Sequence, residues 1–282
     1  MSTPGIINVG QWIEENKNSF DPPVCNKMMH NGQLKVMFVG GPNERKDYHH
    51  EEGEELFYMV KGDMCLKILE KGKHKDVVIK EGEVFLLPAR IPHSPQRKEN
   101  TVGLVIERDR LDNETDGLRY YTGDTTQVLF ERWFHCYDLG SELVPIIKEY
   151  FASEEHKTGK PNPDKLMKEL PFEIDEKTEV MKPMSFDDWI KRNNKNGDSV
   201  PLFGGKYQFD IKIYFEGETK MCEINTEYWI WQIEGESTIT GENQSYNLKK
   251  GDSVLLESRT GFIWKREANS SAMCVIQDGS KK

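Results

Sequence analysis

Long apolar segments, basic clusters and paired cysteines are all missing from this chain of 282 residues. No run approaches the roughly 18 to 20 consecutive apolar residues that a membrane-spanning helix needs. The N-terminal residues offer neither the basic region nor the apolar core of a signal peptide. We therefore expect no membrane partner and a cytosolic location.

The charge and the cysteines exclude further classes of protein. The formal net charge is −10, and no group of lysines and arginines stands out, so nucleic acid is not an expected partner. The five cysteines are scattered singly, without a C-x-x-C pair. This pattern predicts neither a disulfide framework nor a thiolate zinc site. We expect reduced thiols.

Short apolar runs separated by glycine-containing turns fill the first half of the chain. They predict strands at 34–39, 56–60, 64–68, 77–79, 84–87 and 102–106. Such short, closely spaced strands are typical of an antiparallel sandwich or barrel, so the predicted fold is mainly β. A helix is predicted from a cap at Ser141 to a stop at Gly159, followed by a proline-containing linker.

The second half of the chain repeats this plan. Residues 54–62 can be overlaid on 227–235, and residues 81–87 on 250–256, with a Trp-Ile helix opening each half. We predict a catalytic barrel over 1–162, a linker over 163–179 and a second barrel over 180–282. The overlay sets Tyr228 against Glu55 and Phe262 against His93. The second barrel is therefore expected to be degenerate and free of metal.

Three residues of the first half form a candidate metal site. His49 and Glu55 flank the short turn at 51–54, which can fold the chain back on itself, and His93 follows the strand that ends near Pro88. Imidazole nitrogens and a carboxylate oxygen held by different strands can share one cation. Two histidines and a glutamate suit both non-haem Fe(II) and catalytic zinc, so these ligands alone leave the metal open.

Charged residues near these ligands predict an anion site. Arg45 precedes His49 by four residues, and Arg97 follows His93 by four, so two guanidinium groups can clamp a carboxylate. Glu107 ends an apolar strand. It is either an exposed carboxylate paired with Arg108 or Arg110, or an inward-facing group that accepts a proton from a substrate hydroxyl or amine.

These residues resemble the two motifs of the cupin superfamily. His49, Glu55 and Gly62 match His-x-His-x3-Glu-x6-Gly, and Gly82, Pro88 and His93 match Gly-x5-Pro-x-Gly-x2-His-x3-Asn. The chain departs from the motifs at three positions: Glu51 stands in place of the second histidine, Arg90 in place of a glycine, and Arg97 in place of the asparagine. The resemblance implies two jelly-roll cupin barrels and the loss of one ligand at position 51.

At a finer level the chain resembles the animal 3-hydroxyanthranilate 3,4-dioxygenase family. The similar stretches are PPVCNK at 22–27, LKVMFVGGPNERKDYH at 34–49, EEGEELFY at 51–58, FLLPARIPHSPQR at 85–97 and DGLRYYTGDT at 116–125. The resemblance thins in the second half, where only the architecture and short pieces match.

This resemblance implies a monomeric Fe(II) dioxygenase of tryptophan breakdown. It would open the ring of 3-hydroxyanthranilate with O2 to 2-amino-3-carboxymuconate semialdehyde, on the route to quinolinate and NAD. The family's metal ligands correspond to His49, Glu55 and His93, and its substrate-binding residues to Arg45, Arg97 and Glu107, with Asn26 and Pro95 as further pocket residues. Two alternatives remain: a zinc-dependent isomerase with the same ligands, and a non-catalytic module that binds a small anion.

Overall fold

The computed structural model describes residues 5–21, 25–137, 139–194, 197–204, 207–222, 226–258 and 261–277. Most of these residues lie in strands, as the sequence predicts. The strands are β1 (Ile7–Asn8), β2 (Asn26–Asn31), β3 (Leu34–Gly40), β4 (Asn43–Glu44), β5 (Tyr48–His50), β6 (Glu55–Lys61), β7 (Met64–Glu70), β8 (Lys73–Ile79), β9 (Glu83–Leu87), β10 (His93–Arg97), β11 (Val102–Arg108), β12 (Asp116–Tyr121), β13 (Val128–Phe134), β14 (Met184–Ser185), β15 (Ser199–Pro201), β16 (Phe209–Tyr214), β17 (Gly217–Met221), β18 (Thr226–Glu234), β19 (Glu236–Thr240), β20 (Ser245–Lys249), β21 (Asp252–Ser258), β22 (Phe262–Arg266) and β23 (Ser271–Gln277).

Four α-helices accompany the strands in the described part of the chain: α1 (Val9–Glu15), α2 (Leu139–Ala152), α3 (Glu154–Thr158) and α4 (Phe186–Asn193). The predicted helix between Ser141 and Gly159 is two helices, because Ser153 caps α3 through a hydrogen bond from the backbone N–H of His156. Gly159 ends α3 with a left-handed φ of 66°, as expected for a glycine stop. None of the described helices is long and apolar enough to cross a membrane.

The chain folds into two compact units. The first barrel comprises Ser19–Lys27 and Met37–Met184, and the second barrel comprises Met1–Asn18, Met28–Val36 and Ser185–Lys282. The N-terminal residues belong to the second barrel because β1 pairs with β21, Ile7 lying opposite Ser253. The predicted limits placed the N-terminal residues in the first barrel, whereas this grouping places them in the second. The division into domains at 1–162, 163–179 and 180–282 stays a prediction.

Two antiparallel sheets build the first barrel around the candidate ligands. One sheet has the order β13-β12-β5-β10-β7-β8, with β4 added beside β10, and in the other β6 lies between β9 and β11. Strand β5 contains His49, β6 begins at Glu55 and β10 begins at His93. The turns at Gly62 and Gly82 have positive φ angles of 68° and 76°, which glycine adopts without strain.

The second barrel has the same plan, with sheets β1-β21-β18-β23-β16-β15 and β17-β22-β19-β20. The register confirms the internal repeat: Glu55 lies opposite Leu87 in the first barrel, and Tyr228 lies opposite Leu256 in the second. Both pairs are the ones that the sequence overlay matches. In β22, buried and exposed residues alternate, as in a strand with one face on the core.

Candidate metal centre

The first barrel brings the three predicted ligands to one buried point. His49 on β5 lies directly opposite His93 on β10 in the antiparallel register, and their ring centroids are 5.3 Å apart. Glu55 begins β6 in the other sheet, and its Oε1 is 2.7 Å from Nε2 of His93. All three side chains are buried, with at most 4% of each residue exposed. The structure thus brings the three predicted ligands together.

Glu51 lies in the same group, which the sequence did not predict. The potential ligand atoms of His49, Glu51, Glu55 and His93 all lie within 4.8 Å of one another. Two imidazoles and two carboxylates fit a divalent cation of borderline hardness. Burial raises the pKa of Glu55 to about 7 and that of Glu51 well above its usual range. A bound cation would stabilise both carboxylates in their charged form.

Each histidine is oriented by a partner outside this group. Nδ1 of His93 is 3.1 Å from the carbonyl oxygen of Ile91, which leaves Nε2 facing Glu55. Nε2 of His49 is 2.8 Å from Oδ2 of Asp116, the first residue of β12. Hydrogen bonds of this kind fix the orientation of a metal-binding imidazole. Asp116 was not singled out from the sequence, since it lies far along the chain and belongs to no motif.

Arg110 links the carboxylates around this point. Its guanidinium is 2.7 Å from Glu51, 2.6 Å from Glu107 and 3.0 Å from Asp116. Although burial opposes the charge of Arg110, these carboxylates keep its pKa well above the usual value. Burial would likewise raise the pKa of Asp116, but Arg110 and His49 hold it at about 2. The network therefore fixes the positions of side chains from separate segments.

Glu107 faces inward. Only 3% of the residue is exposed, so the alternative of an exposed strand-end carboxylate is wrong, although its predicted partner Arg110 does bind it. Arg108 binds Glu114 instead, through contacts of 2.5 and 2.6 Å.

The two predicted clamp arginines differ in how they are held. Arg45 follows β4, and its Nε donates to Asp47 at 2.9 Å. Arg97 is buried on β10 two residues after Pro95 and four after His93, so the three share one face of the strand. Nε of Arg97 has no hydrogen-bond partner among the described residues, and burial lowers its pKa to about 10. A buried guanidinium N–H without a partner can donate to an anion.

Asn26 and Pro95 were predicted as further pocket residues. Pro95 is buried on β10 between His93 and Arg97, and Asn26 is half-buried at the start of β2. Their roles toward a substrate stay predictions.

Arg90 occupies the position where the cupin motif has glycine. Its φ is 63°, the left-handed conformation that explains the preference for glycine there. The arginine is held by its contacts: its backbone N–H donates to the carbonyl of Glu51 at 3.0 Å, and its guanidinium is 2.7 Å from Glu52. The substitution keeps the turn that leads into His93.

In the second barrel, other side chains occupy the equivalent positions. Phe262 lies opposite Met221 in the β22–β17 register, as His93 lies opposite His49. Met221, Tyr228 and Phe262 belong to one buried apolar cluster. The equivalence of Tyr228 with Glu55 and of Phe262 with His93 follows from the sequence overlay, whereas that of Met221 with His49 emerges only from the strand pairing.

Comparison with known proteins extends these observations. Residues 1–151 match a family model described as 3-hydroxyanthranilic acid dioxygenase. The chain is 53% identical over 279 residues to 3-hydroxyanthranilate 3,4-dioxygenase of Mus musculus, covering 98% of this chain and 97% of that protein. It is 52% identical to the Homo sapiens enzyme over the same shares, and 56% identical to that of Xenopus laevis, covering 96% and 97%.

Solved structures share the fold. A cupin 2 conserved barrel domain protein from Leptotrichia buccalis has a TM-score of 0.51 at 12% identity, covering 98% of this chain and 97% of that one. Salicylate 1,2-dioxygenase from Pseudoaminobacter salicylatoxidans, in a structure with gentisate adducts, has a TM-score of 0.58 at 11% identity, covering 98% and 81%. The predicted mainly-β architecture of two cupin barrels is confirmed.

Proposed function

Because the chain belongs to the 3-hydroxyanthranilic acid dioxygenase family, we propose that it opens the ring of 3-hydroxyanthranilate with dioxygen at a metal centre in the first barrel. The observation that carries the proposal is the meeting of His49, Glu55 and His93 at one buried point inside the segment that the family model matches. The product is 2-amino-3-carboxymuconate semialdehyde, which contains both oxygen atoms of O2 and closes to quinolinate without the enzyme, in the breakdown of tryptophan toward NAD.

Fe(II) would be held by His49, Glu55 and His93. The donor set of two imidazoles and one carboxylate supports this choice, because it is the set that non-haem Fe(II) oxygenases use. When bound, Fe(II) would bind the hydroxyl and amino groups of the substrate and supply the redox activity that lets dioxygen react with the ring. The remaining tasks belong to the side chains around it.

Arg45 and Arg97 bind the carboxylate of the substrate. Guanidinium groups pair with carboxylates through two parallel N–H donors, and the buried Nε of Arg97 gains a partner on binding. Burial strengthens this contact, since water does not compete for the donors. Asn26 and Pro95 complete the walls of the pocket, Pro95 from its place between His93 and Arg97 on β10.

Glu107 accepts the proton of the 3-hydroxyl group. Loss of that proton makes the ring electron-rich and prepares it for oxidation. Arg110, at 2.6 Å, holds the carboxylate of Glu107 in place. The second barrel binds no metal at its equivalent positions, where Met221, Tyr228 and Phe262 pack together. The chain acts as a monomer, since it carries both barrels itself. Its proposed location is the cytosol.

Reconstitution with different metals tests this proposal. The metal-free protein is loaded under anaerobic conditions with Fe(II) or with Zn(II), then mixed with 3-hydroxyanthranilate and air. Oxygen consumption with the Fe(II) form alone is the expected result. Bound zinc in the isolated protein, together with an Fe(II) form that takes up no oxygen, would support the isomerase alternative. Binding of the aromatic acid without turnover of either form would support the anion-binding module.

A further inference from the structure

Residues 167–180 are attached to the first barrel at both ends, although the sequence predicts most of them as linker. We call this segment the strap. At its start the backbone N–H of Met167 donates to Oε1 of Glu131 at 2.6 Å, and at its end the N–H of Val180 donates to Oε1 of Glu70 at 2.9 Å. None of the strap residues belongs to a helix or a strand. A segment of this kind keeps one conformation only through contacts with the rest of the protein.

Phe172 is the buried side chain in the middle of the strap. Only Phe172 and Val180 are buried among the strap residues. The Phe172 ring meets the indole of Trp133 edge to face, with 5.6 Å between the ring centroids. Nε1 of Trp133 donates to Oε2 of Glu131 at 3.0 Å, and the other oxygen of this carboxylate accepts the hydrogen bond from the strap. Phe172 therefore packs on a side chain that is itself fixed.

The strap also contacts the turn that leads into His93. The backbone N–H of Asp175 donates to the carbonyl oxygen of Arg90 at 3.0 Å, and the guanidinium carbon of Arg90 is 5.9 Å from the centroid of the Phe172 ring. The carbonyl of the next residue, Ile91, accepts a hydrogen bond from Nδ1 of His93 at 3.1 Å. A shift of this turn would therefore move the group that orients the imidazole of His93.

Arg90 needs this support because its backbone is strained. Its φ of 63° lies in the left-handed region, which a non-glycine residue keeps only where the surrounding contacts impose it. Two such contacts come from the carbonyl of Glu51 and the carboxylate of Glu52. The other two come from the strap, through Asp175 and Phe172. Without the strap, the turn can relax to a negative φ and lose its alignment with the histidine ligand.

We propose that Phe172 is a positioning residue of the metal centre, which holds the strained turn at Arg90 and thereby the imidazole of His93. The proposal rests on the metal centre of the proposed function and adds to it a residue far along the chain from the ligands. Phe172 contacts neither metal nor substrate in this role and acts through Arg90. The segment predicted as a linker is then required for tight metal binding.

Coupled substitutions test this role, with Co(II) as the probe because its visible absorption reports the bound ligands without turnover. Affinity for Co(II) is measured in the metal-free protein, in Phe172→Ala, in Arg90→Gly and in the double variant. Glycine at position 90 adopts the left-handed turn without strain, so the turn no longer needs the strap. Val180→Ala is the matched control, since it truncates the other buried side chain of the strap. Unfolding midpoints are measured for all variants, and Phe172→Leu replaces Phe172→Ala throughout if the latter does not fold.

We expect Phe172→Ala to weaken Co(II) binding about tenfold, the usual effect of losing support for a metal-binding histidine. In the Arg90→Gly background the same substitution should weaken binding by less than about threefold. Arg90→Gly and Val180→Ala alone should each stay within about threefold of the native affinity. The Nδ1 proton of His93, observed as a hyperfine-shifted NMR signal of the Co(II) form, should exchange faster with water in Phe172→Ala than in the control variant.

Equal losses of affinity in the native and Arg90→Gly backgrounds would overturn the proposal, because Phe172 would then support the fold and not the turn. A Phe172→Ala affinity within about twofold of the native value, or an equal loss in Val180→Ala, would overturn it as well. Absence of Co(II) binding in the native protein would refute the proposed metal centre and this proposal with it, whereas the other outcomes leave the metal centre standing.

Discussion

Tyr228 and Phe262 pack edge to face with 5.1 Å between their ring centroids, at the two positions of the second barrel that correspond to Glu55 and His93 in the first. The same pair of positions thus holds the Glu55–His93 contact of the candidate metal centre in one barrel and an aromatic contact in the other. Both aromatic residues are buried in the core cluster of the second barrel.

Matched substitutions at His93 and Phe262 test this difference. His93→Ala is expected to abolish metal binding and turnover. Phe262→Ala is expected to keep one metal per chain and to lower the free energy of unfolding by about 3–5 kcal/mol, because it leaves a cavity in an apolar core. Metal analysis and urea unfolding of both variants provide the measurements. Native activity in His93→Ala would refute the assignment of the site.

Arg97→Ala is expected to weaken substrate binding more than it slows turnover. Loss of a charge-assisted hydrogen-bonded pair costs about 1.5–3 kcal/mol, which corresponds to roughly a 10- to 150-fold rise in KM. The control substrate is 2-aminophenol, which lacks the carboxylate. Its KM is expected to be high in the native protein and to be the same in Arg97→Ala. An equal rise of KM for both compounds would argue against a carboxylate clamp.

Asp116→Asn probes the orientation of His49. The variant keeps the size of the side chain but weakens its bond to Nε2 of His49 and its pairing with Arg110. We expect a loss of about 10- to 100-fold in metal affinity, as is usual when the partner of a metal-binding histidine is changed. Isothermal titration with Co(II) measures the effect. Native affinity would show that Asp116 does not position the imidazole.

Glu55→Gln is expected to stabilise the protein when no metal is present. Burial raises the pKa of Glu55 to about 7 in the folded chain, above the value of about 4.3 expected when it is unfolded. The folded state therefore holds the proton more tightly, and the stability of the metal-free protein falls as the pH rises from about 4.3 to about 7. Glutamine at position 55 carries no titrating proton, so the Glu55→Gln variant does not lose this stability as the pH rises.

Thermal unfolding in the presence of a chelator measures that effect. At pH 8 the midpoint of Glu55→Gln should lie a few degrees above that of the native protein, and at pH 5 the difference should shrink. Addition of metal should raise the midpoint of the native protein alone. A difference that does not change between pH 5 and pH 8 would contradict this explanation.

Arg90 provides a test of the turn that leads to His93. Arg90→Gly and Arg90→Ala both remove the contact with Glu52, but only alanine must adopt the φ of 63° with a side chain. The glycine variant should be about 1 kcal/mol more stable than the alanine variant, as measured by urea unfolding. Equal stability would indicate that the turn changes conformation.

The residues of the candidate site could be predicted because each lies in a short sequence motif. His49 and Glu55 flank one turn, and His93 follows a glycine–proline motif at fixed spacing, so the pattern is visible without a fold. The overlay of the two halves was equally informative, since Tyr228 and Leu256 pair in the second barrel as Glu55 and Leu87 do in the first.

The supporting residues could not be predicted in the same way. Asp116 reaches His49 only because β12 pairs with β5, a contact between strands 67 residues apart. Arg110 was considered only as a surface partner of Glu107, and its three buried carboxylates come from separate segments. Met221 was missed because its spacing to Tyr228 is one residue longer than that of His49 to Glu55, so a linear overlay passes over it.

Stoichiometric oxygen consumption tests the central claim most directly. Protein reconstituted with Fe(II) is mixed with limiting 3-hydroxyanthranilate in air-saturated buffer, while an oxygen electrode and the absorbance of the ring-opened product are followed together. The account predicts one O2 consumed per substrate and per product formed, with one labelled oxygen atom from ¹⁸O2 retained in the new carboxylate, since the aldehyde oxygen exchanges with water. Binding of the substrate without oxygen uptake, or product that lacks the label, would contradict it.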